Sequence, residues 1–225
     1  MKHRGNRLNK GRDQRPKRSP KLGGYLIITD GEKTERNYFE DIKKNIPKKY
    51  ENNLQIKIHL EKELKKIIQF AEQKRYEDPR FRNIWLIFDR DEVPNFDEII
   101  KEAERVDMEV GWSNPCFEIW LSAYFGEMKP STDSRGCISR FEKLLIKNTD
   151  KREYKKSDKG IYKILLESGN EAKAIKIAEK RHKEQEKRHQ NPSEMKACTT
   201  VFRLVSEIRT KTNRPVSESE IIDCP

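Results

Sequence analysis

The chain has 225 residues, of which 33% are hydrophobic and 39% are charged, and its formal net charge at pH 7 is +11. This length suits one large domain, or a core domain with an extension, and it can bury a hydrophobic core. No apolar run approaches the roughly 20 residues of a membrane span, and no apolar segment follows the charged N-terminus as it would in a secretory signal. We therefore expect no membrane partner.

The cysteines and histidines carry little sign of a metal site. The chain has four cysteines, all far apart in sequence, namely Cys116, Cys137, Cys198 and Cys224. None forms a Cys-x-x-Cys pair, so structural zinc is not expected and a reducing, cytoplasmic setting fits. His182 and His189 lie in a charged segment without Cys partners, and we expect both at the surface.

The basic character of the chain is concentrated in residues 1–23. Residues 1–21 contain nine Lys and Arg and one acid, Asp13, and the segment has almost no aliphatic residues. We expect it to be disordered when free and to contact nucleic-acid phosphates. A solubilising tail, or a tail that docks on an acidic partner, remains the alternative. The candidate nucleic-acid-binding residues are Arg4, Arg7, Lys10, Arg12, Arg15, Lys17 and Arg18.

Strands and helices alternate along residues 24–126. Apolar runs predict buried strands at 25–29 and 84–88, a half-exposed strand at 54–60 and a short strand at 108–112. Helices are predicted from Thr34, as N-cap, to about residue 46, and at 61–76, 95–106 and 115–125. This alternation predicts a parallel sheet with right-handed crossovers in an α/β domain.

No strand pattern follows Gly126, and the rest of the chain is predicted to be helical. The predicted helices are 138–146, 157–168, 170–189 and 195–210. The domain prediction is therefore a basic tail at 1–23, an α/β domain at 24–126, a helical extension at 127–211 and a loose tail at 212–225. Most charges of the segment 170–189 are expected to form a solvated helix face.

The predicted strand 84–88 runs into Asp89, Asp91 and Glu92. In extended backbone Asp89 and Asp91 would project to the same side, and two close carboxylates repel unless a proton or a cation lies between them. Mg²⁺ or Mn²⁺ is the natural cation for such an all-oxygen site. The alternative is a strand end with a solvated acidic turn.

Further acids should join this edge, because the carboxyl ends of parallel strands share one side of a sheet. Asp30 and Glu35 follow the first strand, and Glu118 follows the fourth. One or two divalent metals would relieve their repulsion, activate water and stabilise the leaving oxygen of a phosphodiester. Lys33 is placed to neutralise transition-state charge, although it can equally be an exposed loop lysine.

Three segments resemble a known family. They are Ile27-Ile28-Thr29-Asp30-Gly31-Glu32-Lys33-Thr34-Glu35-Arg36-Asn37-Tyr38-Phe39, Phe88-Asp89-Arg90-Asp91-Glu92 and Ser113-Asn114-Pro115-Cys116-Phe117-Glu118-Ile119-Trp120. Together they resemble the RloB-like (AbiLii-like) family of small Toprim-domain proteins, which is related to OLD-type nucleases. The resemblance implies a Toprim-like, Rossmann-like sheet, a metal-dependent nuclease in anti-phage defence, and an ATPase partner.

The resemblance also assigns site residues and contains two departures. It places the Toprim glutamate at Asp30, one methylene shorter than usual, and the Asp-x-Asp pair at Asp89 and Asp91. A histidine that the family often carries is replaced by Tyr124. The resulting hypothesis is a Mg- or Mn-dependent hydrolase of DNA or RNA, such as tRNA, with Asp30, Lys33, Glu35, Asp89 and Asp91 catalytic. The predicted metal ligands are Asp30, Glu35, Asp89, Asp91 and Glu118.

The rival hypothesis is a non-catalytic subunit that binds nucleic acid or a partner and retains a vestigial Toprim site. The shortened side chain at Asp30 favours this rival. Whether the chain forms homo-oligomers stays open at this stage.

Overall fold

A five-stranded sheet lies at the centre of the computed structural model, which describes residues 24–50, 54–91, 93–131 and 133–212. Its strands are β1 (Gly24–Thr29), β2 (Ile56–Leu60), β3 (Phe81–Asp89), β4 (Glu109–Asn114) and β5 (Cys198–Thr199). Three predicted parts of the chain lie outside the described residues, namely the basic tail, the tail beyond Thr212, and the single residue Glu92.

The strand order is β2-β1-β3-β4-β5. The first four strands are parallel, with Thr29 beside Ile87 and Asp89 beside Ser113 in the register. The predicted α/β class with a parallel sheet is thus confirmed. β5 is an antiparallel addition at the β4 edge that the sequence pattern did not indicate, because a two-residue strand has no measurable period.

The two central strands are apolar because both of their faces are covered. Tyr25 and Ile27 of β1 belong to a hydrophobic cluster on one side of the sheet, and Leu26 and Ile28 belong to a second cluster on the other side. β3 alternates in the same way, so its continuous apolar run serves two separate cores.

Eight α-helices surround the sheet within the described ranges. They are α1 (Thr34–Lys44), α2 (Ile67–Glu77), α3 (Phe96–Arg105), α4 (Glu118–Ala123), α5 (Ser134–Asn148), α6 (Ile161–Ser168), α7 (Glu171–Glu186) and α8 (Val201–Thr212). Short 3-10 helices occur at Lys48–Tyr50, Leu64–Lys66 and Pro192–Glu194. In the described part of the chain, no helix combines the length and apolarity needed to cross a membrane.

Several local predictions need correction. Thr34 is the first residue of α1 rather than its N-cap, which is Lys33. The last helix begins at Val201 rather than at 195, because Ala197 has a positive φ of 51° and β5 precedes the helix. His182 is buried, with 4% exposure, and its ring packs 5.8 Å from that of Trp112.

The helices after residue 126 share a core with the α/β part of the chain. Tyr38 and Phe39 of α1 belong to the same buried cluster as Phe141, Leu165 and Val205. The elements on either side of the predicted boundary at 126 therefore bury their apolar faces against each other.

Candidate functional site

Two carboxylates follow the central strands at one edge of the sheet. Asp30 comes directly after β1, and Asp89 is the last residue of β3, the neighbouring strand. The backbone N–H of Asp30 donates to the carbonyl oxygen of Ile87 at 3.1 Å, which extends the β1–β3 pairing as far as Asp30. Both aspartates are partly buried, and Oδ1 of Asp89 is buried without a hydrogen-bond partner.

Glu35 joins these aspartates from the first turn of α1, where its charge suits the helix dipole. Only 5% of Glu35 is exposed. Its carboxylate folds back over Gly31, since a Cβ added at Gly31 would lie 2.0 Å from Oε2 of Glu35. Any larger residue at position 31 would therefore displace this carboxylate from its present position.

Glu118 is the fourth acid and the first residue of α4. It is completely buried, with 0% exposure. Its Oε1 accepts a hydrogen bond of 2.9 Å from the hydroxyl of Tyr154, whereas its Oε2 is buried and has no hydrogen-bond partner. An unpaired buried carboxylate oxygen is costly, so this site favours a cation or a donor at that position.

The four carboxylates affect one another electrostatically. Burial raises the pKa of Asp30 to about 6, although backbone hydrogen bonds and, less strongly, Lys156 partly offset the shift. Burial and the charges of Asp30 and Glu118 raise the pKa of Glu35 to about 7. Burial, followed by Glu35, Asp30 and Glu118, raises the pKa of Asp89 well above its ordinary value. We call Asp30, Glu35, Asp89 and Glu118 the acidic group.

The loop between α5 and α6 covers the acidic group with a hydroxyl and a cation. The Tyr154 hydroxyl lies 3.0 Å from Oγ1 of Thr34, in addition to its bond with Glu118. Nζ of Lys156 lies 3.8 Å from Oε1 of Glu118. Burial opposes the charge of Lys156, but attraction by Glu118, Glu35 and Asp89 outweighs burial and raises its pKa.

This loop is held in place by α1. Oγ1 of Thr34 donates to the backbone oxygen of Lys156 at 3.4 Å, and Nδ2 of Asn37 donates to the backbone oxygens of Ser157 and Asp158 at 3.3 and 3.4 Å. Sequence reasoning missed Tyr154 and Lys156, because they lie in a charged loop more than 30 residues from the nearest predicted acid. No local pattern identifies them.

The other predicted site residues are either exposed or outside the described residues. Lys33 is exposed at the start of α1, and Asp91 is exposed in the turn after β3. The strand ends at Asp89, so the extended geometry assumed for Asp89 and Asp91 does not continue to Asp91. The strongest charges acting on Asp89 come from Glu35, Asp30 and Glu118. The role of Asp91 stays a prediction, and the candidate residues between Arg4 and Arg18 are not described.

The acidic group suits a hard cation that needs few protein ligands. As the side chains stand, no three or more His, Cys, Asp or Glu residues in the described ranges have the arrangement of a metal site. Mg²⁺ commonly takes one or two carboxylates and fills its remaining positions with water and substrate phosphate. Asp89 and Glu118 fit this pattern, because each presents a buried oxygen without a hydrogen-bond partner.

A prediction about pH follows for the protein in a chelating buffer. Asp30 and Glu35 bind protons more tightly in the folded chain, so their stabilising contribution is complete below the ordinary pKa values of 3.8 and 4.5. It is lost as the pH rises through about 6 and about 7. We expect the free energy of unfolding of Glu35→Gln to be about 1–3 kcal/mol higher than that of the wild type at alkaline pH. At acidic pH the two values should be nearly equal.

Urea unfolding in EDTA across this pH range measures the difference. Glu32→Gln is the matched control, because Glu32 is exposed and ion-paired with Lys62 outside the acidic group. A difference between wild type and Glu35→Gln that stays constant with pH would contradict the prediction.

Comparison with protein families agrees with the resemblance seen in the sequence. A family model described as "RloB-like protein" matches residues 25–208, which covers most of the chain and all four members of the acidic group. No curated protein and no solved structure gives a significant match.

Proposed function

Because this chain belongs to the RloB-like protein family, we propose that its acidic group makes it a metal-dependent nuclease that hydrolyses phosphodiester bonds. The observation that carries this proposal is the pair of unpartnered buried oxygens, Oδ1 of Asp89 and Oε2 of Glu118, beside two further carboxylates with raised pKa values. Such a site is electrostatically incomplete without a cation.

The acidic residues divide into two roles in this proposal. Asp89 and Glu118 would hold the cation, while Asp30 and Glu35 would accept hydrogen bonds from a water and orient it toward the phosphorus atom. A bound Mg²⁺ or Mn²⁺ would supply an acidified water and charge stabilisation at the phosphate. The short side chain of Asp30 suits contact through water, since it need not reach the ion itself.

Lys156 takes the role that sequence reasoning gave to Lys33. Both lysines are exposed, but the ammonium group of Lys156 lies 3.8 Å from Oε1 of Glu118 and attraction by the acidic group raises its pKa, whereas Lys33 stands at the N-cap of α1. A cation held there stabilises the negative charge that develops on the phosphate oxygens in the transition state. Tyr154 positions Glu118 through its hydroxyl and does not need to touch the substrate.

We expect Lys156→Met to lower cleavage by about 100-fold or more, the usual effect of losing one preorganised electrostatic group. Lys155→Met is the matched control, because Lys155 is the adjacent residue, is exposed and pairs with Glu153 at 2.5 Å. Cleavage of labelled DNA and RNA oligonucleotides with Mn²⁺ measures both variants. Equal rates for the two variants would remove Lys156 from the mechanism.

Divalent-dependent cleavage by the purified chain tests the proposed function itself. The assay compares Mg²⁺, Mn²⁺ and EDTA, with single-stranded and duplex DNA and RNA as substrates. Activity that requires a divalent cation and disappears in Glu118→Gln supports a nuclease. Background rates from the wild type, with calorimetry showing no bound metal at millimolar Mg²⁺, would favour the non-catalytic binding subunit instead.

The biological setting is proposed on the family resemblance alone. We propose that the chain acts in anti-phage defence together with an ATPase partner, and that the partner restrains a nuclease able to attack host nucleic acid. The cleavage assay is therefore repeated with any ATPase that co-purifies with the chain. If activity appears only after the ATPase is added or its nucleotide is changed, the partnership is supported.

A further inference from the structure

Helix α7 presents a row of lysines to solvent. The exposed residues of Glu171–Glu186 are all lysines, namely Lys173, Lys176, Lys180 and Lys183, and exposed Lys187 follows at the C-cap. We call these five residues the lysine row. Their spacing of three or four residues places them on one side of an α-helix, within an arc of roughly 80°.

The opposite side of α7 is buried in the protein. Ala174, Ala178, His182 and Gln185 are all buried there. The acids of α7 that reach the surface, Glu179, Glu184 and Glu186, occupy partly buried positions outside the arc of the lysine row. The most exposed residues of this mixed-charge helix are thus all lysines, and they lie along one side of it.

The row is long and straight. From Lys173 to Lys187 it extends about 21 Å along the helix axis, with a cation every 5 Å or so. Lys183 also pairs with Glu179 at 2.9 Å, an interaction that a stronger polyanion can replace because the pair is exposed. A regular line of flexible ammonium groups matches a polymer with regularly repeated negative charge.

The geometry points to the phosphate backbone of a nucleic acid as the occupant of the lysine row. Anionic membranes are a poorer match, because an interfacial helix buries an apolar face in the bilayer, and the apolar face of α7 is already buried in this protein. α7 packs on α4, whose first residue is Glu118, so the row and the acidic group belong to neighbouring elements. This inference relies on the proposed function only for the choice of nucleic acid among polyanions.

Replacement of four lysines of the row by glutamine tests the inference in the full-length chain. The variant carries Lys176→Gln, Lys180→Gln, Lys183→Gln and Lys187→Gln, and leaves Lys173, which lies beside Gly126, unchanged. The control variant removes the same charge from scattered exposed helix positions, with glutamine at Lys43, Lys44, Lys101 and Lys147. Circular dichroism confirms that both variants retain their helices.

Fluorescence anisotropy with labelled duplex and single-stranded oligonucleotides is measured in EDTA over a series of salt concentrations. For the duplex, we expect the slope of log Kobs against log salt to become shallower by about 3.6 in the row variant, since each of four lost phosphate contacts contributes about 0.9. The control variant should change the slope by less than 1. Anionic vesicles and polyglutamate serve as competing ligands.

Two kinds of result overturn the inference. One is oligonucleotide binding that is absent in the wild type, unchanged in the row variant, or lost equally in the control. The other is loss of vesicle or polyglutamate binding while oligonucleotide binding persists. The binding assay contains no divalent cation, whereas the cleavage assay requires one. Nucleic-acid binding by the lysine row can therefore be confirmed when the nuclease proposal fails, and the reverse result is equally distinguishable.

Discussion

Asp89→Asn is expected to abolish cleavage and at the same time to stabilise the metal-free protein. The substitution removes a carboxylate that has one buried oxygen without a partner and a pKa raised by burial and by the charges of Glu35 and Asp30. If Asp89 holds the cation as proposed, its loss should lower the cleavage rate by about 1000-fold. Relief of the buried repulsion should raise the unfolding free energy by about 1–3 kcal/mol in EDTA at alkaline pH.

Asp91→Asn is the control that distinguishes the role of Asp91 from that of Asp89. Asp91 is exposed in the turn after β3, so its substitution should leave the unfolding free energy unchanged. Its effect on cleavage decides whether Asp91 is also a ligand, which the sequence predicts. A large loss of stability in Asp89→Asn would instead show that Asp89 is a structural residue, and the nuclease proposal would lose its central ligand.

Glu171→Ala should produce the largest loss of stability among the substitutions considered. Glu171 is 1% exposed and lies at the start of α7. Its Oε1 accepts hydrogen bonds from the hydroxyls of Tyr124 at 3.1 Å and Tyr162 at 3.0 Å, and its Oε2 pairs with Nη1 of Arg209 at 3.3 Å. One carboxylate therefore connects α6 and α8 to the end of α4.

The substitution removes the carboxylate that pairs with the largely buried guanidinium of Arg209. Loss of one partner of a buried ion pair typically lowers the free energy of unfolding by about 3–5 kcal/mol. Tyr162→Phe is the graded control, because it deletes one hydrogen bond and should cost about 1 kcal/mol. Urea unfolding at neutral pH measures both variants. A cost for Glu171→Ala no greater than that of Tyr162→Phe would mean that the network contributes little to stability.

The same network explains the tyrosine at position 124. Its hydroxyl lies 2.7 Å from that of Tyr38 and donates to Glu171, so the side chain is engaged in the core rather than in the acidic group. A histidine base at this position is thus not part of the proposed mechanism. The departure from the family pattern is compatible with an active site that relies on Asp89, Glu118 and Lys156.

The sequence alone determined the architecture and three of the places where acids converge. Apolar runs and helical periodicity are local properties, and four successive strand–helix pairs predict a parallel sheet. Parallel strands end on one edge, so Asp30, Asp89 and Glu118 could be placed near one another before the strand order was known. Glu35 was predicted at the same edge because it closely follows the turn after the first strand.

The tertiary structure decided the features that depend on contacts between distant segments. Tyr154 and Lys156 reach Glu118 because the α5–α6 loop folds against α1, and nothing in the composition of that loop indicates its destination. His182 is buried because α7 packs beside Trp112 and Phe202, although its neighbours in sequence are charged. Likewise, the turn after Asp89 leaves Asp91 exposed, since the extended period that aligns alternate residues ends with the strand. Local periodicity determines which faces of an element are apolar, whereas packing determines which elements those faces meet.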